Sequence, residues 1–303
     1  MGPTGGAPED QFRMAVWQRP WKSQLVYASP ETTGFALRAS VARPATVGRL
    51  AEALAPGVEG RVDRSSSVVV ELFDGEAASV SRLQMLNGAN AVALRSASGA
   101  WEVLQFETAE EIAPEVWRLT ELLRGQLGTS DAMAAGALVG ADLVMLDQAV
   151  QSVGLLASEI GLMLNWRVGP TGGDFSSSSF ASVTSAGGMR ARLPLAPVHL
   201  RASAPAEGGL ALTWIRRGRL DADDWAPADI PLGEEREEYR LEIAPAGGTV
   251  VRSATTIEPA WHYGPAEIAA DFAVPPAEID VSVRQLSVTA GWGLPASKRF
   301  ALP

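Results

Sequence analysis

Cysteine is absent from the 303 residues, and this excludes disulfide bonds, thiolate metal ligands and a cysteine nucleophile. Histidine is scarce too, with only His199 and His262. Each lies in an apolar or aromatic stretch. We expect a structural role for both, because general-base chemistry needs a positioned partner as well as the imidazole.

Positive charge is also in short supply. Lys22 and Lys298 are the only lysines, and 25 basic residues face 35 acidic ones, for a net charge of −10. Contact with phosphates needs a concentrated positive surface, so we expect no nucleic-acid binding. The longest apolar run, at 132–146, is interrupted by glycines and an aspartate and falls short of the roughly 18–20 residues that cross a bilayer. We therefore predict no membrane span, and the start of the chain shows no pattern of a secretion signal.

The common catalytic motifs are missing. The chain has no Gly-x-Ser-x-Gly elbow. The sequence GPTGG, at 2–6 and again at 169–173, lacks the Gly-Lys-Ser/Thr of a phosphate loop and is typical of a flexible connector. The acidic residues at 221–224 have no glycine where a calcium loop turns, which favours a solvated acidic turn. No motif selects a pair among the 35 acids for glycoside cleavage. We predict no catalytic residue, no cofactor and no metal.

Turn-forming residues, by contrast, are abundant, with 30 glycines and 20 prolines. They favour a mainly β chain of many short strands. The stretch at 116–123 fits either a helix face or one side of a strand. Because Pro114 and Gly125 bound it closely, we favour a strand that enters a turn. Other strand patterns lie at 67–73, 91–94 and 101–106.

One short helix is predicted, at 46–54. Thr46 supplies an N-cap, the apolar residues that follow share one helical face, and Pro56-Gly57 supplies a stop. This helix belongs to a β-rich first region that we place at 1–190.

The second region, 191–303, is predicted to be a separate β-sandwich. Apolar and polar residues alternate at 209–217 and 238–243, further strand patterns follow at 267–272 and 279–288, and the length of about 100 residues suits a sandwich.

Tryptophan is frequent, with nine residues. Trp101 lies in an apolar pattern and is predicted to belong to the core. The other notable aromatics lie near turns, where an exposed ring can form a platform for a sugar or a protein partner. The opposing interpretation is that they cap the ends of the sandwich. The candidate surface-binding residues are Trp225, Trp261, Tyr263 and Trp292.

Several segments together resemble a known family. LLRGQLGT at 122–129, WIRRGRLDADDW at 214–225, PLGEEREEYRLEI at 231–243 and VRQLSVTAGWGLPA at 283–296 are similar to the C-terminal region of the large host-specificity proteins of phage tails, especially those of gene transfer agents. The second region, with Trp214 at its centre, also resembles a fibronectin type III module.

This resemblance implies a non-enzymatic structural and binding component of a tail tip hub or baseplate. It implies a β-rich tail-hub-type domain followed by a fibronectin type III-like sandwich. The expected partners are other tail or baseplate proteins, copies of the same chain in a homotrimer, and host envelope polysaccharide or a tail fibre. Such particles are assembled in the bacterial cytoplasm and released on lysis. Longer members of the family carry an upstream sugar-hydrolase-like barrel, which suggests that this chain is the end of a longer polypeptide.

A second hypothesis remains open at this stage. A β-sandwich joined to another β-rich region also fits the accessory or carbohydrate-binding part of a cell-wall-degrading glycoside hydrolase. The two hypotheses differ in that only the hydrolase needs two facing carboxylates in a cleft.

Overall fold

The computed structural model describes residues 12–219 and 230–302. The chain is mainly β, which confirms the fold class predicted from its turn-rich composition. It divides into two compact units, Met1–Met189 and Arg190–Pro303. In the described part, no helix has the length and apolar character that crossing a membrane requires.

The first unit contains twelve described strands and two α-helices. The strands are β1 (Arg13–Met14), β2 (Gln24–Ser29), β3 (Ala36–Val41), β4 (Val47–Leu50), β5 (Val68–Leu72), β6 (Ala91–Arg95), β7 (Trp101–Ala113), β8 (Val116–Gln126), β9 (Asp142–Met145), β10 (Gln151–Ser152), β11 (Met163–Pro170) and β12 (Ala181–Ala186); the helices are α1 (Arg82–Leu86) and α2 (Ser130–Ala135).

Six of these strands close into an antiparallel barrel in the order β4-β5-β8-β7-β6-β9. Its interior is filled by aliphatic and aromatic side chains that are almost fully buried, among them Val70, Leu104, Phe106, Leu122 and Leu143. Closure removes the free strand edges that would otherwise pair with other chains. The stretch at 116–123 lies in β8, so the strand interpretation of it is confirmed.

The helix predicted at 46–54 is wrong. Val47–Leu50 forms β4, which pairs with β5 on one side and β9 on the other. A four-residue strand that closes a barrel satisfies its backbone groups on both edges, and this tertiary pairing outweighs a weak local helix preference. The Pro56-Gly57 step does not end a helix; Gly57 lies against the side chain of Arg124.

The rest of the first unit is built on a four-stranded antiparallel sheet, β12-β11-β2-β3. Trp166 anchors the core on one face. The second GPTGG sequence is not a free connector, because its first two residues belong to β11 and the ring of Phe180 packs on Gly169. The following loop is held by Phe175, whose ring contacts that of Tyr27 and lies under the Arg167 guanidinium. The first GPTGG lies outside the described residues.

The second unit contains β13 (Val198–Ser203), β14 (Leu210–Ile215), β15 (Tyr239–Pro245), β16 (Arg252–Thr256), β17 (Ala260–Tyr263), α3 (Pro265–Asp271), β18 (Glu278–Ser287), β19 (Gly291–Trp292) and β20 (Ala296–Ala301). One sheet has the order β13-β14-β17; in the other, β15 lies between β16 and β18, and β18 also pairs with β19 and β20. Both sheets contribute to a single core that includes Trp214, Leu241 and Val281. The unit is therefore a β-sandwich, as its strand pattern predicts.

Two local predictions fail. The segment predicted as a strand at 267–272 falls mostly in α3, which begins with Pro265 in its first turn and has Glu267 bonding back to the backbone N–H of Gly264. Those are helix-start features. The side chain of Trp101 is 41% exposed, so its predicted place in the core is wrong. Trp101 is the first residue of β7 and follows a turn, whereas the next five residues are buried in the barrel.

Candidate functional site

The four aromatic residues predicted to bind at the surface have different environments. Trp225 lies outside the described residues. Tyr263 is fully buried, so the prediction that it is a surface contact is wrong. Trp261 is two residues away on the same face of β17, and its ring stacks on that of Tyr263 with the centroids 5.6 Å apart. Side chains in a strand alternate between faces, and this places both rings against the sandwich core.

Tyr263 is the centre of a polar network that fastens α3 to the sandwich. Its hydroxyl donates to Asp271 Oδ2 at 2.6 Å. Arg252, on β16, donates to both carboxylate oxygens of Asp271, at 2.5 and 2.9 Å. His262 points the other way and has Nε2 within 2.9 Å of the Gly208 carbonyl oxygen. The arrangement is a structural clamp, in which the carboxylate is already held by three hydrogen bonds from two residues.

The clamp makes the stability of the sandwich depend on pH. Burial opposes ionisation of Asp271, but the hydrogen bonds from Arg252 and Tyr263 outweigh it and lower the pKa of this carboxyl. Burial, together with the bond to Asp271, raises the pKa of Tyr263. A carboxyl whose pKa is lower in the folded state contributes stability that is present above its unfolded pKa, about 3.9, and is lost as the pH falls through the folded value.

We therefore expect Asp271→Asn to lower the free energy of unfolding of the sandwich at pH 7 by about 1–3 kcal/mol, since it removes a charged acceptor from the donors of Arg252 and Tyr263. The difference from the unchanged chain should disappear once the pH is well below 3.9. Urea unfolding at a series of pH values measures this. Glu258→Gln, at an exposed position, is the matched control; an Asp271→Asn effect that is the same at pH 3 and pH 7 would rule the linkage out.

Trp292 is half-buried, as Trp261 is, but it lies beside charged side chains. It lies on β19 next to β18, and its ring centroid is 6.0 Å from Arg240 Cζ. Arg240, on β15, is paired directly across the sheet with Arg284 on β18. We call the surface formed by Arg240, Arg284 and Trp292 the arginine–tryptophan face.

The two arginines differ in their partners. Arg240 donates from Nε to Ser253 Oγ at 3.0 Å and has Nη2 3.3 Å from Glu242 Oε1. Arg284 is half-buried, and within the described ranges its buried Nε has no hydrogen-bond partner. The face therefore combines a guanidinium paired with a carboxylate, a second guanidinium whose Nε has no partner among the described residues, and an indole ring.

The sequence pattern singled out Trp292 but missed Arg240 and Arg284. Each arginine lies at a polar position of an alternating strand, which is the usual place for a solvated charge. Their importance comes from β15 and β18 being neighbours in a particular register, and a local pattern does not specify that register.

No group of three or more His, Asp or Glu side chains in the described part of the chain is arranged to hold a metal ion. The acidic residues at 221–224 fall outside the described ranges.

One protein-family model matches the part of the chain that forms the barrel. The family described as "Rcc01698-like, C-terminal" matches residues 45–144, about a third of the chain. This range coincides with the closed barrel, which runs from Val47 to Met145. None of the curated protein sequences matches the chain.

Among solved structures, a beta-1,2-glucanase from Parabacteroides distasonis matches with a TM-score of 0.19 and 12% identity, over 92% of this chain and 36% of the glucanase. The chain thus spans about a third of the length of that enzyme. At this TM-score the match carries no argument about fold or activity.

Proposed function

We propose that this chain is a structural and binding component of a phage-like tail tip or baseplate of the gene transfer agent type, that it contributes to tail assembly and host-surface recognition, and that it is not an enzyme. The observation that carries the proposal is the position of the family match. Residues 45–144 cover the barrel except for the last residue of β9, and they include all of β8 and the segment 122–129, where the sequence resemblance to tail host-specificity proteins begins.

The architecture supports a scaffolding role for the first unit. The barrel has no free edges, and its interior is filled by side chains. A filled barrel offers its outer surface and loops for contact with neighbours. In this proposal the barrel packs against other tail or baseplate proteins and against copies of the same chain in a homotrimer.

The sandwich supports a binding role. Its division into a three-stranded and a larger sheet around one core suits a fibronectin type III-like module. The polar outer face of the larger sheet is the surface that we propose meets the host envelope or a tail fibre. Particles of this type are assembled in the bacterial cytoplasm and leave on lysis.

Disruption of the coding region tests the proposal. We expect cells without the chain to release particles that lack a complete tail tip, with transfer to recipient cells reduced by orders of magnitude, and expression of the chain in trans to restore transfer. Normal yield, adsorption and transfer without the chain would contradict the proposal. Release of reducing ends from envelope polysaccharide by the purified chain would contradict its non-enzymatic part.

A further inference from the structure

The pairing of Arg240 with Arg284 demands an explanation, because like charges directly opposite each other on neighbouring strands repel. Glu242 offsets the positive charge of Arg240, and Ser253 accepts a hydrogen bond from its Nε. For Arg284, the described ranges contain no acceptor for its buried Nε. Buried donors in folded proteins are normally satisfied, so the Nε of Arg284, like the paired charges beside it, needs an explanation.

We propose that the arginine–tryptophan face binds a carboxylate-bearing sugar unit of an acidic polysaccharide; this inference rests on the proposed role of the sandwich in host-surface recognition. A guanidinium presents a planar fork of donors that matches a carboxylate. A carboxylate held by the outer nitrogens of the two guanidinium groups offsets the repulsion between the two arginines.

Trp292 adds the feature that favours a sugar over a free inorganic anion. An indole ring provides an apolar platform of large area, and the hydrophobic face of a sugar ring stacks on such a platform. Hydroxyl groups lie in the adjacent rows of the same sheet surface, on Ser253, Thr255 and Ser282. These groups suit hydrogen bonding to sugar hydroxyls.

The acidic residues nearest the site are each paired with an arginine. Glu238, whose backbone carbonyl accepts from the N–H of Leu286, has Oε2 2.6 Å from Arg236 Nε. Asp280 is bound by Arg299 through two hydrogen bonds, at 2.7 and 3.0 Å. It is four residues from Arg284 along β18, about 13 Å at the rise of a strand. Glu242 faces Arg240. An anionic ligand therefore meets the arginine end of the surface, although the chain as a whole carries a net charge of −10.

Isothermal titration of the whole chain with oligogalacturonate tests the inference. We expect binding that is lost with the methyl-esterified oligosaccharide, which keeps the sugar backbone and removes the charge. Arg284→Gln should weaken binding at least tenfold, and Trp292→Ala should weaken it several-fold. Arg299→Gln, at the other end of the same sheet, should leave it unchanged. Equal binding of the acid and the ester, or unchanged binding by Arg284→Gln, would overturn the inference.

Two further readouts separate the explanations. If Arg284 is held for a ligand, Arg284→Gln should leave the urea midpoint of the sandwich unchanged or raised; a lowered midpoint, with binding per folded molecule unchanged, would show that its role is structural. Inorganic phosphate should compete poorly with the oligosaccharide, and full displacement at equal concentration would reduce the site to a general anion site and overturn the sugar assignment.

Failure of this binding inference can be told apart from failure of the proposed tail role. Acid-sugar binding by a chain that is dispensable for particles would keep this inference and remove the tail role. A chain that particles require but that does not bind the acid sugar would keep the tail role and remove this inference.

Discussion

Replacing Arg124 by methionine should destabilise the barrel by about 3–5 kcal/mol, the loss that follows when one partner of a buried ion pair is removed. The side chains of Arg124 and Glu102 are 0% and 1% exposed. Glu102 accepts from Arg124 Nε at 2.6 Å and Nη2 at 2.9 Å, and from the backbone N–H of Gly125 at 3.1 Å. Without Arg124 the Glu102 carboxylate stays buried beside a single backbone donor.

Hydrogen exchange of β7 and β8 in increasing urea measures this loss on the whole chain. Arg118→Met is the matched control, because Arg118 and Glu110 are 3.9 Å apart with side chains 43% and 67% exposed, and exposed pairs of this kind contribute about 0–1 kcal/mol. The double change of Arg124 to Met and Glu102 to Leu should recover part of the stability, since it leaves no unpaired charge. Equal small effects of Arg124→Met and Arg118→Met would contradict the buried pair.

Gly48→Ala should cost about 2–3 kcal/mol of barrel stability, the upper part of the range usual for overpacking a well-filled site. A Cβ on Gly48 would lie 2.3 Å from the carbonyl oxygen of Glu71 on β5. That oxygen belongs to the paired backbone of the barrel and has little room to move. The same change in a helix would instead stabilise by about 1 kcal/mol, so the sign of the effect decides between the two structures for this segment.

The free energy of unfolding of Gly48→Ala, again from hydrogen exchange in urea, gives that sign. Glu52→Ala, at an exposed nearby position, controls for a general effect of alanine. A stabilised Gly48→Ala variant would mean that the helix predicted at 46–54 exists after all and that β4 does not close the barrel.

The sequence predicts strands well where local pattern and partners agree. β8 is bounded by turn residues and has β7 and β5 beside it, so the strand interpretation is confirmed. β4 shows the limit: its apolar spacing fits a helix face, and only the closing pairs with β5 and β9 make it a strand. Closure of a barrel depends on residues that are distant in the chain, and no local pattern contains that information.

The candidate site shows the same limit at the level of side chains. The position of Trp292 near a turn was enough to single it out. The prediction for Tyr263 is wrong, because whether its side of β17 faces the core or the solvent depends on the second sheet. Arg240 and Arg284 are 44 residues apart and become a pair only through the register of β15 and β18. Buried charge such as Arg124 is hidden from sequence for the same reason, since an arginine in a strand is usually solvated.

Electron microscopy of released particles labelled with an antibody against the sandwich is the most direct measurement of the central claim. If this chain is a structural and binding component of a tail tip, the label should lie at the distal end of the tail, on intact particles from cells that encode the chain, and should be absent from particles made without it. Label confined to unassembled protein, or distributed over the particle without preference for the tail end, would contradict the account.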